Sequence, residues 1–158
     1  MPINLEKDQN IYVTRGMVRA EFDFWVGEPT DKFFDALEQK QMIANKCEKC
    51  GTVFLPPRKV CGDCFVKISK YVTLSNSGIL KNFTITPYKI SERRKRKSRS
   101  KTIVGLIQIE GADTAIALPI VEAEPDDLEI GMKMQIVWKK KPTGQPLDIE
   151  GVRPIGGD

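Results

Sequence analysis

Four cysteines limit most tightly what this chain can fold into. They stand at Cys47, Cys50, Cys61 and Cys64, and there is no fifth in the 158 residues. The stretch reads Cys-Glu-Lys-Cys, then ten residues, then Cys-Gly-Asp-Cys. A C-x2-C pair puts two thiols on one tight turn, and two such pairs supply four sulfurs, the donor set of tetrahedral zinc. Gly51 follows the first pair and Gly62 lies inside the second. Both are expected to take positive φ, so that backbone N–H groups turn toward the sulfurs. The pattern predicts a zinc ribbon, two metal knuckles joined by a short hairpin. Iron in a rubredoxin-like site accepts the same thiolates. Disulfides, or simply buried thiols, are the readings without metal.

The chain has no histidine. That removes the commonest general base and every Ser-His-Asp or Cys-His arrangement. With four thiolates on the ion, no position stays open for water or substrate, so the metal is expected to be structural. No thiol is left over as a nucleophile. The residues therefore argue against hydrolysis or acyl transfer by this chain alone. The length suits one ordinary domain or two small ones, and 41% hydrophobic residues allow a true core. There is no long uncharged apolar run and no basic-then-apolar leader, so no membrane span or signal peptide is expected. Reduced thiols free to bind metal suit the cytoplasm.

Residues 1–44 read as an N-terminal arm and helices. Thr30 is the expected N-cap, and Phe33, Phe34, Leu37 and Met42 follow helical spacing, with Phe22, Phe24 and Trp25 expected to pack against them and a binding role for the three as the alternative. Residues 45–70 form the ribbon, with Val53–Leu55 as the strand between knuckles and Pro56-Pro57 ending it. Residues 71–158 change to a period of two. Strands are expected over 79–85, 103–109, 115–121, 132–138 and 147–152. Gly105, inside a strand, fits a bulge or a bend. The expected class is mainly β with N-terminal helices: a rubredoxin-like zinc ribbon, then a five-stranded oligonucleotide/oligosaccharide-binding (OB) barrel. An open five-stranded sheet is the alternative.

The order helix, Cys47-x2-Cys50-Gly51, Phe54-Leu55-Pro56-Pro57-Arg58, Cys61-x2-Cys64, then an OB-like module with Ser77-Gly78-Ile79 and Ile130-Gly131-Met132-Lys133, resembles a known family. It is the zinc-ribbon/OB-fold acyl-CoA-associated proteins, long called a domain of unknown function. The resemblance covers about Phe22 to Pro154. It implies a non-catalytic companion that joins two thiolase-fold enzymes, acetoacetyl-CoA thiolase and hydroxymethylglutaryl-CoA synthase, at the entry to the mevalonate pathway. It also implies help in passing a CoA thioester between them.

The net charge is +4, yet residues 89–101 hold eight Lys/Arg and one Glu, a local +7 that leaves −3 for the rest. This loop is unusually long and basic for the family. Arg93, Arg94, Lys95, Arg96 and Lys97 are candidates for the CoA phosphates, because guanidinium forks hold phosphate bidentately. A solvated loop and docking on an acidic enzyme surface explain the charge as well. So does single-stranded nucleic acid, the rival function. Against that rival, strands 103–109 and 115–121 contain no aromatic residue on which bases would stack, and Phe83 stands alone.

Overall fold

Helix α1 spans Glu28–Glu38 and opens on Gly27, not on the expected Thr30. Gly27 holds φ 87° and its carbonyl accepts from the N–H groups of Thr30 and Asp31, at 3.1 and 3.0 Å. Pro29 in the first turn has no N–H to lose, and Glu28 and Asp31 suit the positive end of the helix dipole. At the other end Lys40 adopts φ 56°. The Gln41 N–H then reaches back to the Ala36 carbonyl at 2.9 Å, and the Lys40 N–H to Leu37 at 2.9 Å. This left-handed cap stops the helix. Met42, expected within it, instead starts a strand. In the computed structural model residues 20–22, 25–86 and 102–156 are described. The arm over 1–19, Phe24 and the basic loop 89–101 lie outside them.

Three strands make the ribbon sheet: β1 (Met42–Lys46), β2 (Val53–Phe54) and β3 (Lys70–Leu74). They pair antiparallel in the order β2-β1-β3, so this sheet crosses the expected divisions at 44/45 and 70/71. Five more strands follow: β4 (Ser77–Thr86), β5 (Thr102–Ile109), β6 (Ile116–Ile120), β7 (Lys133–Trp138) and β8 (Ile149–Pro154). They close as β4-β5-β6-β8-β7, with β6 and β8 parallel and β7 returning to β4. This is the expected barrel, preceded by one α-helix among the described residues rather than several.

Gly105 is neither bulge nor bend. It pairs in register with Phe83 and with Leu118. A Cβ there would come within 2.9 Å of Ile120 and 3.0 Å of Leu80, so glycine makes room inside the barrel. The irregularities fall elsewhere, between Leu80 and Asn82 and between Val137 and Trp138.

A single apolar cluster runs through both sheets. Phe33 and Leu37 of α1 and Met42 and Leu55 of the ribbon join Leu80, Ile107, Met134 and Val152 of the barrel. Burying each such side chain is worth about 1.5–3 kcal/mol, so helix and ribbon draw stability from the barrel's interior. Hydrogen bonds fix the same junction. The Val53 N–H donates to Asp113 Oδ2 at 2.8 Å, and the Asp113 N–H returns to the Val53 carbonyl at 3.0 Å. The Leu55 N–H donates to Thr114 Oγ1, whose hydroxyl donates to the Leu55 carbonyl, at 2.7 and 2.9 Å. The ribbon strand is thereby stitched to the β5–β6 turn.

Candidate functional site

The four cysteine sulfurs lie within 4.8 Å of one another, and none is in a disulfide. Cys50 and Cys61, from different knuckles, bring their sulfurs to 3.7 Å. Four thiolates at about 2.3 Å from a central zinc stand roughly 3.8 Å apart along a tetrahedral edge, so the spacing and the donor set both fit. Cys47 and Cys61 are buried, Cys64 is half-buried and Cys50 faces outward. Phe54 and Ile68 complete a small core around the sulfurs, with Arg58 over the Phe54 ring at 5.2 Å.

Two turns of the same construction position the thiols. In the first, the Cys47 N–H donates to the Thr52 carbonyl at 2.9 Å and the Gly51 N–H donates to the Cys47 carbonyl at 2.8 Å. In the second, the Cys61 N–H donates to Val66 and the Phe65 N–H to Cys61, each at 3.0 Å. The residue after the last cysteine takes positive φ in both, 82° at Gly51 and 56° at Phe65. The expectation for Gly51 holds. Gly62 is not at positive φ, because the turn places its left-handed residue after the pair and not within it.

The hydrogen-bonding side chain and backbone of Thr52, whose Oγ1 is 3.2 Å from Cys50 Sγ, hold the Cys50 thiol down to about 6. Burial, with Cys50 and Cys61 alongside, pushes Cys64 up to about 12. A cation at the centre of the four sulfurs favours the thiolate at every one of them.

Between the knuckles, Asn45 is fully buried. Its Oδ1 accepts from the Arg58 N–H at 3.0 Å and its Nδ2 donates to the Arg58 carbonyl at 2.6 Å. This satisfies the loop that follows Pro56-Pro57. A lone asparagine inside a strand gave no sequence signal of that role.

Among the described residues, two hollows lie away from the sulfurs. A shallow groove of about 270 Å³ runs over the outside of β4, β5 and β6, lined by Asn82, Phe83, Thr84, Val104, Leu106 and Ala117. Strands β4 and β5, which border it, are the strands that the basic segment connects. Arg93, Arg94, Lys95, Arg96 and Lys97 themselves lie outside the described residues. A smaller cavity of about 120 Å³ sits between the start of α1 and the second knuckle, with Lys32, Lys59, Lys67, Glu28 and Tyr71 on its walls. Lys32 pairs with Glu28 at 2.9 Å and lies over the Tyr71 ring at 4.8 Å. No motif announced this cavity, because its lysines come from separate elements. Phe22 and Trp25 do not pack on the helix as expected; they are 80% and 77% exposed. Among the described residues no helix is long and apolar enough to cross a membrane.

Comparison with known proteins agrees with this geometry. Residues 34–68 match the ChsH2 rubredoxin-like zinc ribbon domain. Two archaeal proteins, each named a DUF35 domain-containing scaffold protein, are similar over most of their length. The one from Methanocaldococcus jannaschii is 27% identical over 103 residues, 65% of this chain and 71% of its own. The one from Methanothermobacter thermautotrophicus is 25% identical over 104 residues, 65% and 75% respectively. A Sulfolobus solfataricus DUF35 structure of unknown function superposes with TM-score 0.59 at 26% identity, over 82% of this chain and 83% of that one. A chain of the Ltp2-ChsH2(DUF35) aldolase gives TM-score 0.59 at 20% identity, over 82% and 96%; at that identity the likeness speaks for the fold alone. The family resemblance drawn from the cysteine and Pro-Pro-Arg motifs is borne out.

Proposed function

We propose, from this likeness to DUF35 scaffold proteins, that the chain is a non-catalytic scaffold subunit. It bridges thiolase-fold enzymes, acetoacetyl-CoA thiolase and hydroxymethylglutaryl-CoA synthase, and helps pass the CoA thioester between them. The observation that carries the non-catalytic part is the cysteine cluster. All four thiols converge within 4.8 Å in a chain with no histidine and no further cysteine. Zinc held by Cys47, Cys50, Cys61 and Cys64 is closed to substrate and contributes folding energy instead. Iron in the same site is the alternative that elemental analysis separates.

In this reading the arm over 1–44 and the ribbon over 45–70 face the enzymes, and the barrel over 71–158 takes acyl-CoA. The apolar outer groove suits the extended pantetheine arm. The cations Arg93 to Lys97, on the segment joining the two strands that border it, suit the CoA phosphates. A cytoplasmic setting keeps the thiols reduced.

The test is co-purification of the tagged chain from its native lysate, followed by calorimetric titration with CoA. A thiolase-fold enzyme in the complex and CoA binding weakened at least tenfold by neutralising Arg93 to Lys97 are expected. A complex without any thiolase-fold enzyme would remove the reading.

A further inference from the structure

One residue of the ribbon runs against what its position asks for. The knuckles close with the same two backbone hydrogen bonds, yet the left-handed position is glycine in the first and Phe65 in the second. A bulky side chain is disfavoured there. The ring is not compensated by burial in this chain, since Phe65 is 84% exposed. Val60, 45% exposed, pairs across the same hairpin with Lys67, so the two side chains leave from one side. Lys67 also lines the small cavity, together with Lys32 and Lys59. From Arg58 to Lys70 there are four basic residues and one acid, Asp63.

We infer that the second knuckle is a docking element for a partner protein, with Phe65 as its anchor. The ring enters an apolar socket on the partner. A carboxylate of the same partner surface engages the lysines at the cavity, which is large enough for the end of an acidic side chain. The inference rests on the scaffold reading and specifies its contact: the occupant is the thiolase-fold enzyme. Charge argues against a second copy of this chain, because two such knuckles carry the same sign and repel. An aromatic ring that is exposed alone and desolvated in a complex is the usual centre of binding energy. The left-handed backbone at Phe65 holds this ring out from the knuckle.

Glycine at this position separates anchor from fold, because the first knuckle already works with glycine. Metal-loaded wild type and Phe65→Gly are titrated calorimetrically into purified acetoacetyl-CoA thiolase and into hydroxymethylglutaryl-CoA synthase. Phe65→Gly is expected to keep full metal content, melt no lower than wild type, and lose at least about thirtyfold in affinity for one enzyme. Lys67→Glu is expected to weaken the same binding severalfold and to flatten its salt dependence. Binding by Phe65→Gly within about twofold of wild type overturns the anchor and leaves the scaffold reading standing. Failure of folded wild type to bind either enzyme removes the scaffold reading and this inference with it. Concentration-dependent dimers of wild type that vanish in Phe65→Gly would overturn it in favour of self-association.

Discussion

The two metal knuckles are built to one plan and finished differently. Each ties its first cysteine to the residue five along, closes with a return bond to that cysteine's carbonyl, and sets the residue after its last cysteine in the left-handed region. The first uses Gly51, at which an added Cβ would meet nothing closer than Lys46 at 4.0 Å. The second uses Phe65, exposed to solvent. Space therefore does not explain the choice in either place. Gly51 is the residue the backbone prefers, and Phe65 is a residue the backbone tolerates. One ion shared by the four sulfurs would hold both turns, which leaves one knuckle free to be made for folding and the other for contact.

The sharpest way to break the equivalence is to remove a sulfur from each side. Cys47→Ser and Cys61→Ser occupy matching buried positions, so both are expected to lose the metal and unfold the ribbon. Structural zinc is worth on the order of 10–16 kcal/mol in small fingers, as large as a typical domain's whole stability of about 5–15 kcal/mol. Metal content by elemental analysis and circular dichroism read the result. Retained stoichiometric metal in either variant would show that the two turns do not share one ion.

Next comes the tie between the knuckles. Asn45→Ala strands both the N–H and the carbonyl of Arg58, at an expected cost of about 1–3 kcal/mol by urea unfolding. A loss confined to the second knuckle's amide-exchange protection would show which turn the loop supports.

A swap of the finishing residues sharpens the comparison further. Gly51→Ala is expected to cost about 1 kcal/mol and Phe65→Gly to gain up to about 1 kcal/mol, with thermal melts reading both signs. Equal signs would mean that the turns differ in more than their side chains. Lys40→Gly, at the left-handed residue that ends α1, should gain a similar amount, because the helix cap prefers glycine.

The smallest effect belongs to a control remote from the metal. Asp148 is buried next to Lys139, at 3.8 Å. Burial alone would raise its carboxyl, but the backbone N–H groups of Gln145 and Thr143, then Lys139, hold it below its ordinary 3.8. A lowered folded value means that the stabilisation is present above the unfolded value and lost as pH falls through the folded one. Asp148→Asn should flatten the acid limb of the stability profile. It should leave the difference between Gly51→Ala and Phe65→Gly unchanged at neutral pH.

Much of the fold was legible because its signals are local. Cysteine spacing gave the ribbon, and alternation gave five strands whose order then matched a closed barrel. What failed did so where a residue broke its own preference. Lys40 ends the helix in a conformation that a lysine does not advertise, so the helical period ran on into Met42. Gly62 drew attention as the only glycine in its knuckle, while the backbone put the unusual angle on Phe65. Among site residues, the cysteines were readable by type. The groove and the lysine cavity were not, since Lys32, Lys59 and Lys67 meet only after α1 and the ribbon have packed.

The stitches between Val53, Leu55 and the Asp113–Thr114 turn have a geometric consequence. They join the cysteine ribbon to the hairpin whose outer surface helps form the barrel groove, through one backbone–backbone bond and three that end on the side chains of Asp113 and Thr114. The molecule thus behaves as a ruler: whatever is seated on the knuckles stands at a set distance and angle from whatever lies along the barrel. Lengthening the β5–β6 turn by even one residue would change that reading without touching either surface.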